Sequence, residues 1–433
     1  MMNPHIKEFS RYTILNVLGM LGLSCYILAD TFFISLGLGA NGLTALNLAI
    51  PVYSFIHGCA LMLGMGGATK YTIAVSQGKS SVGNQTFTRT ILLEIFFALC
   101  FAALGLFFSG PVTQLLGADA ETYAMTKTYL QMLLLFSPAF LTNEILLCFV
   151  RNDGAPQLSM FAMLGGSFSN IILDYIFIFP LGMGIFGAVF ATCLAPVISL
   201  AILSPFFLKR KNHFHLQKCP LSPGDLKTIL ASGVPSLVSE LSSGIVIIVF
   251  NLIMLRLGGN IGVAAYGVVA NLSLVILSVY TGVAQGSQPL LSKYFGKEEP
   301  ENLHRIFRYA VCTITGLFVF IYLTVFFGAD AITAIFNSEN NPTLQSIASY
   351  GIRVYFTGCG LAGFNILLSI YLTSVNKAGP AGIISILRGI LLIVPVTFLL
   401  SAAMGITGLW LAFPVTELIV TGVGFVTLKH LHR

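Results

Sequence analysis

Met183-Gly184-Ile185-Phe186-Gly187 returns near the other end of the chain as Met404-Gly405-Ile406-Thr407-Gly408. A second pair keeps nearly the same spacing: Asn152-Asp153-Gly154-Ala155-Pro156 returns as Asn376-Lys377-Ala378-Gly379-Pro380. Counting apolar runs outward from these segments puts both pairs at equivalent points. One pair is the loop after an even-numbered run, and the other is the start of the sixth run of each half. Each half then holds six helices, so the two copies share one orientation, and the axis relating them runs along the membrane normal.

The composition requires a membrane. Only 9% of the 433 residues are charged, 56% are apolar, and mean hydropathy is +0.89, whereas a soluble domain carries about 25% charge. This excludes a soluble enzyme, a nucleic-acid-binding module and a disordered chain. A helix needs about 20 apolar residues to cross a bilayer. We read twelve spans: 14–36, 43–68, 88–109, 124–150, 158–179, 184–208, 226–257, 263–290, 305–328, 346–372, 381–402 and 406–428. The first is too long for a cleaved signal peptide and is expected to stay as a helix. The fold expected is an all-α integral membrane protein of 12 transmembrane helices in two pseudo-symmetric bundles. Residues 1–208 form an N-terminal lobe, 209–225 a linker and 226–433 a C-terminal lobe. With both termini cytoplasmic, the basic residues from Lys7 to Arg433, Arg388 included, fall on the inner side, except Lys127, Arg256 and Arg353. That bias fixes the orientation and accounts for the net charge of +6 without an acidic partner. The linker Lys209–Asp225, with its basic residues, His213, His215 and prolines, reads as solvated. Eight scattered cysteines, with no CxxC pair, read as small core residues rather than disulfides or metal ligands.

Prolines 51, 138, 196, 235, 289, 395 and 414 fall inside spans, where they can bend helices and free carbonyls toward a cavity. A carboxylate in a bilayer needs a partner, a cavity or a proton. Six acids lie in spans: Asp30, Glu94, Glu144, Asp174, Glu240 and Glu417. The first and fifth spans both run outward, and Asp30 and Asp174 sit at matching depths, about 8–9 Å below the outer helix ends. Asn170, one turn before Asp174, shares its helix face. Thr192, early in the sixth span, can bring a hydroxyl to the same depth. Such a group can hold a shared proton or, through its oxygens, a sodium ion. Transferring the repeat, Asn251 stands where Asp30 would be and Pro395 where Asp174 would be, so the site belongs to the N-terminal lobe alone. Glu240, five residues after Pro235 and near mid-membrane, is a candidate counter-ion for a cationic substrate, as is Glu417. Glu144 and Glu94 are expected near the inner surface, paired with Arg151 and Arg89.

Several stretches resemble the MATE (multidrug and toxic compound extrusion) family, closest in pattern to its bacterial DinF-like and MepA-like branch. They are Ala29-Asp30-Thr31-Phe32-Phe33-Ile34, Arg151-Asn152-Asp153-Gly154-Ala155-Pro156, Asn170-Ile171-Ile172-Leu173-Asp174-Tyr175-Ile176-Phe177-Ile178, Gly184-Ile185-Phe186-Gly187-Ala188-Val189-Phe190-Ala191-Thr192 and Gly233-Val234-Pro235-Ser236. The resemblance implies a multi-pass antiporter of the bacterial cytoplasmic (inner) membrane, with two lobes around a V-shaped central cavity. Such a protein expels amphipathic, often cationic, compounds in exchange for H+ or Na+. It implies that Asp30, Asn170, Asp174 and Thr192 bind the coupling ion, with any Na+ held by Asp30 and Asp174. It implies no cofactor, no nucleic-acid partner and a functional monomer whose partners are small-molecule substrates and membrane lipids. Two other readings compete. A flippase for a lipid-linked or polar precursor on the same plan would want Arg and Lys in the cavity, and only Arg256 and Arg353 approach the outer half of the spans. A membrane enzyme would want a catalytic His or a carboxylate pair at a loop edge, and His57 is the single His within a span.

Overall fold

A computed structural model describes residues 4–337 and 340–431; the terminal Arg433 of the basic tally lies outside them. The described residues are helical with no strand, as a lipid-embedded chain must be when no water is present to satisfy a free backbone group. Pro4–Ser76 is one hydrogen-bonded run broken at Gly39, whose φ of 66° and ψ of −156° suit glycine alone. The chain reverses there, because the Tyr26 and Tyr53 hydroxyls meet at 2.7 Å; a straight helix would hold these residues about 40 Å apart. Pro223–Gly296 breaks in the same way at Gly259 (φ 60°, ψ −155°), letting Phe250 stack on Tyr266 at 5.3 Å. Ile393–Leu431 breaks at Gly405 (φ 59°, ψ −135°).

Among the described residues, joining the bent pair and splitting three helices at Gly39, Gly259 and Gly405 gives twelve spans. In chain order they are α1 (4–38), α2 (40–76), α3 (Ser80–Phe107), α4 (123–152, bent by 49° where Phe136 interrupts it), α5 (Pro156–Ile178), α6 (Gly184–Leu208), α7 (223–258), α8 (260–296), α9 (Pro300–Phe336), α10 (Pro342–Ser374), α11 (378–404) and α12 (406–431). A short helix, Ser109–Leu115, lies between α3 and α4. Pro138 opens the second arm of α4 just after its bend. Pro395 follows a π-turn at Leu387–Leu391. Pro51, Pro196, Pro235, Pro289 and Pro414 lie inside continuous helix.

The internal repeat reappears in the backbone. Gly184 and Gly405, matched by the quoted segments, have φ of 61° and 59°. The loop pairing is corrected by two residues. The positive-φ residue of the first loop is Gly154 (φ 91°) and that of the second is Asn376 (φ 64°). The residues that then open the next helices, Ala155 and Lys377, share ψ of 55°. Gly154 therefore corresponds to Asn376, and the Asn152/Asn376 identity is a coincidence of composition.

Buried side chains gather accordingly. Two clusters draw on Ile34 through Phe214, and a third runs from Phe250 to Val420, joined by Phe9 and Tyr12. The halves close against each other at the ends that carry most of the basic residues. There the backbones touch through glycines. A Cβ on Gly233 would fall 1.8 Å from the Met62 carbonyl oxygen, one on Gly66 2.2 Å from that of Ile229, and one on Gly282 2.7 Å from Val17 Cα. Small residues permit this approach, and close contact is what binds helices in lipid. Polar ties reinforce the seal. Asn16 Nδ2 donates to the Gly282 carbonyl at 3.0 Å, Gln288 Nε2 to Thr69 Oγ1 at 3.0 Å, and Asn152 Nδ2 to Gln288 Oε1 at 3.0 Å. Lys293 pairs with Glu8 at 2.9 Å.

The linker is largely exposed, as expected, but it is anchored to the N-terminal half at one point. Phe214 is 1% exposed and enters an aromatic cluster with Phe87 at 4.7 Å, Phe149 at 5.4 Å and Tyr71 at 5.8 Å. Backbone N–H groups of His215 and Gln217 donate to Asn84 and Thr88 at 3.0 and 2.9 Å. His213 binds Asp153 through its N–H at 2.8 Å. Phe214→Ala should therefore cost about 3–5 kcal/mol. A thermal-unfolding scan of purified protein should show a clear fall in midpoint; an unchanged midpoint would mean that the linker is not part of the packed core. The cysteines are free, but Cys25, Cys100 and Cys312 are exposed on span surfaces rather than in the core.

Candidate functional site

The N-terminal half encloses a polar centre with no basic residue in contact. Asp30 on α1 and Asp174 on α5 are both buried, and their carboxyl groups are close enough to influence each other electrostatically. Among the described residues neither forms an ion pair with Lys, Arg or His. Asp30 Oδ1 and Asp174 Oδ1 have no hydrogen-bond partner among the described residues. In the amide orientation that satisfies both of its ends, Asn170 Nδ2 donates to Asp174 Oδ2 at 3.1 Å and its oxygen accepts from the Thr192 N–H at 3.2 Å. The Thr192 hydroxyl donates to the Ala188 carbonyl at 3.2 Å. The four residues singled out from sequence are thus brought together, with Thr192 touching Asn170 through its backbone. Sequence reading missed Tyr129 of α4, a buried phenol near Asp30 and Thr192. An aromatic residue in a span gives no signal by itself. Two bare charges in this pocket would cost several kcal/mol each, so the arrangement suits a shared proton or a small bound cation.

Between the halves lies a cavity of about 280 Å³, lined from α1, α2, α4 and α5 on one side and from α7, α8 and α10 to α12 on the other. A second chamber of about 130 Å³ adjoins it and shares Glu240, Gln285 and Arg388 in its walls. Glu240 faces the cavity, and its Oε1 lies 3.4 Å from His57 Nδ1. Glu144 Oε2 approaches the other imidazole nitrogen at 3.9 Å. Glu144 is therefore a cavity residue and not the partner of Arg151. Arg151 is buried and donates to Asn16 Oδ1 at 2.6 Å. Glu94 likewise does not pair with Arg89. It accepts from Thr142 Oγ1 at 2.6 Å, while Arg89 reaches Asp225 at 3.0 Å and the Pro220 carbonyl at 3.3 Å. The cluster connects toward the acid pair by helical spacing. His57 follows Tyr53 by one turn, Asp30 follows Tyr26 by one turn, and the two phenols are hydrogen-bonded.

Glu417 also lines the cavity, but both its oxygens are taken. Oε1 accepts from Arg388 Nε at 2.6 Å and Oε2 from Asn365 Nδ2 at 2.7 Å. Arg388, assigned to the inner side by the charge tally, is thus a cavity residue held by Glu417. Arg353 pairs with Asp330 at 2.7 Å, away from the cavity walls.

A family model described as MatE matches residues 16–176 and 235–399, three quarters of the chain. The chain belongs to the MatE family. Its spans place it in a multi-pass membrane, and it is a transporter rather than an enzyme. It is similar to a protein named multidrug export protein MepA from Staphylococcus aureus (strain MRSA252). The two are 26% identical over 408 residues, covering 94% of this chain and 89% of the relative. A MepA from Staphylococcus saprophyticus is 25% identical over 416 residues, covering 95% and 91%. Among solved structures, an outward-facing conformation of a multidrug resistance MATE family transporter of the MOP superfamily superposes with a TM-score of 0.91. It covers 99% of this chain and 96% of that one, and at 24% identity the likeness is one of MatE fold.

Proposed function

We propose that this MatE protein exports amphipathic, often cationic, organic compounds by alternating access, in exchange for H+ or Na+, across the bacterial cytoplasmic membrane. The observation that carries the coupling is the buried Asp30–Asp174 pair, which has no basic partner among the described residues and lies in one half only. The similarity to multidrug export proteins supports the substrate class. With the basic face in the cytoplasm, as the positive-inside rule places it, the glycine seal closes the inner side and the conformation faces outward. In this form the acid pair takes up its ion, held by Asp30 and Asp174 with Asn170, Thr192 and Tyr129 around them. Neutralising the pair removes the cost of two buried charges, so the bundle can repack. The ion leaves on the inner side, and the substrate leaves on the outer side. One chain supplies both lobes and the cavity between them, which supports action as a monomer.

Glu240 supplies negative charge to the cavity with no Lys or Arg paired to it among the described residues, whereas Glu417 positions Arg388. Glu240→Gln is expected to weaken efflux of organic cations by about tenfold, the worth of one partly screened charge pair, and to leave neutral substrates nearly unaffected. Resistance profiles against matched cationic and neutral compounds measure this. An equal loss for both would remove the counter-ion role. A flippase for polar phosphorylated precursors gains little from the cavity, whose arginine is already neutralised by Glu417.

A further inference from the structure

His57 occupies a position that the export reading does not use. Its ring lies between two carboxylates from different helices: Glu144 of α4, in its own half, and Glu240 of α7, in the other. The contact distances of 3.9 and 3.4 Å are ion-pair distances, and Nδ1 lacks an aligned hydrogen bond. One face of the ring stacks on Tyr53 at 5.9 Å with the planes 8° apart. The imidazolium form of His57 is thus a flat aromatic monocation, set between two carboxylates and against a phenol ring, at the wall of the transport cavity.

We propose that the Glu144–Glu240 pair, with Tyr53 as stacking wall, is the binding site for the charged end of a flat or aromatic organic cation, and that protonated His57 fills it between transport cycles. This rests on the export reading above and names the groups that recognise the substrate. When the cation binds, the carboxylates exchange one positive partner for another. His57 releases its proton to cavity water, and its neutral ring turns aside, so the charge of the site is unchanged. Cation–π attraction and the two carboxylates favour the substrate, and desolvation of the imidazolium is avoided. The other ionisable groups facing the site are the phenols of Tyr26 and Tyr53, bonded to each other, the Cys148 thiol, which donates to Glu144 Oε1 at 3.9 Å, and across the cavity Tyr266, Tyr355 and Arg388, the last held by Glu417. Asp30 lies one helical turn beyond Tyr26.

Binding of ethidium, a planar aromatic cation of permanent charge, to the purified full-length protein tests this between about pH 6 and pH 8, the range in which histidine commonly titrates. Wild type should bind more tightly as pH rises, by up to about tenfold per pH unit where His57 titrates. His57→Gln should abolish that slope and bind at low pH as tightly as wild type does at high pH. Glu144→Gln and Glu240→Gln should each weaken binding. Asp174→Asn should keep the slope even though it loses coupled export. A slope that survives in His57→Gln overturns the inference. A slope lost in Asp174→Asn but kept in His57→Gln gives the competing proton to the buried acid pair, which sinks this inference and leaves the antiport reading intact. If His57→Gln does not fold, His57→Asn carries the same comparison.

Discussion

Cells expressing Asp174→Asn, or Asp30→Asn, are expected to lose drug efflux to the level of cells without the protein, while the variants reach the membrane in normal amounts. The substitution is nearly isosteric and places an amide oxygen and nitrogen where Asn170 and Tyr129 can engage them. It fixes the pocket in a permanently neutral form, and neutral polar groups are far cheaper to bury than carboxylates. Folding should therefore survive, whereas the cycle loses its ion-dependent step. Drug accumulation together with quantified membrane protein reads both. Wild-type efflux from both variants would show that the buried acids only join helices.

Gly233→Leu should arrest the transporter in the opposite sense, by chemistry unrelated to ions. A Cβ at this position would fall 1.8 Å from the Met62 carbonyl oxygen, and both groups belong to helix backbone that cannot move aside locally. The lobes must part where α2 meets α7, so the seal on the basic face cannot form. Export is expected to fall to background, and the separation between spin labels at Lys79 and Lys297, both exposed on that face, should widen. Retained export with an unchanged separation would mean that this glycine contact is not part of the gate.

Much of this architecture was legible because few sequences satisfy a bilayer. The spans follow from unbroken apolar runs, and the MGIFG/MGITG repeat marks positions where both halves need glycine at positive φ. Asp30 and Asp174 stood out because carboxylates are expensive in lipid. Contacts across helices were less legible. Glu144 and Arg151 are two helical turns apart on α4, and pairing by sequence distance overlooked Asn16 and His57 on neighbouring helices. Arg388 was assigned by a charge rule that treats every basic residue as facing water, whereas the buried Glu417 of the neighbouring helix α12 holds it in the cavity. The linker's polar composition concealed Phe214, although a phenylalanine between His213 and His215 was the one sign of burial there. Tyr129 carried no signal, because phenols in spans also serve packing.

The acid pair as coupling site is tested most directly in proteoliposomes with a pH gradient and a sodium gradient imposed separately, comparing wild type with the Asp30→Asn/Asp174→Asn double variant. Wild type should move a fluorescent organic cation against at least one of these gradients, and the double variant against neither. Gradient-driven transport by the double variant, or wild-type transport indifferent to both ions, would contradict the account.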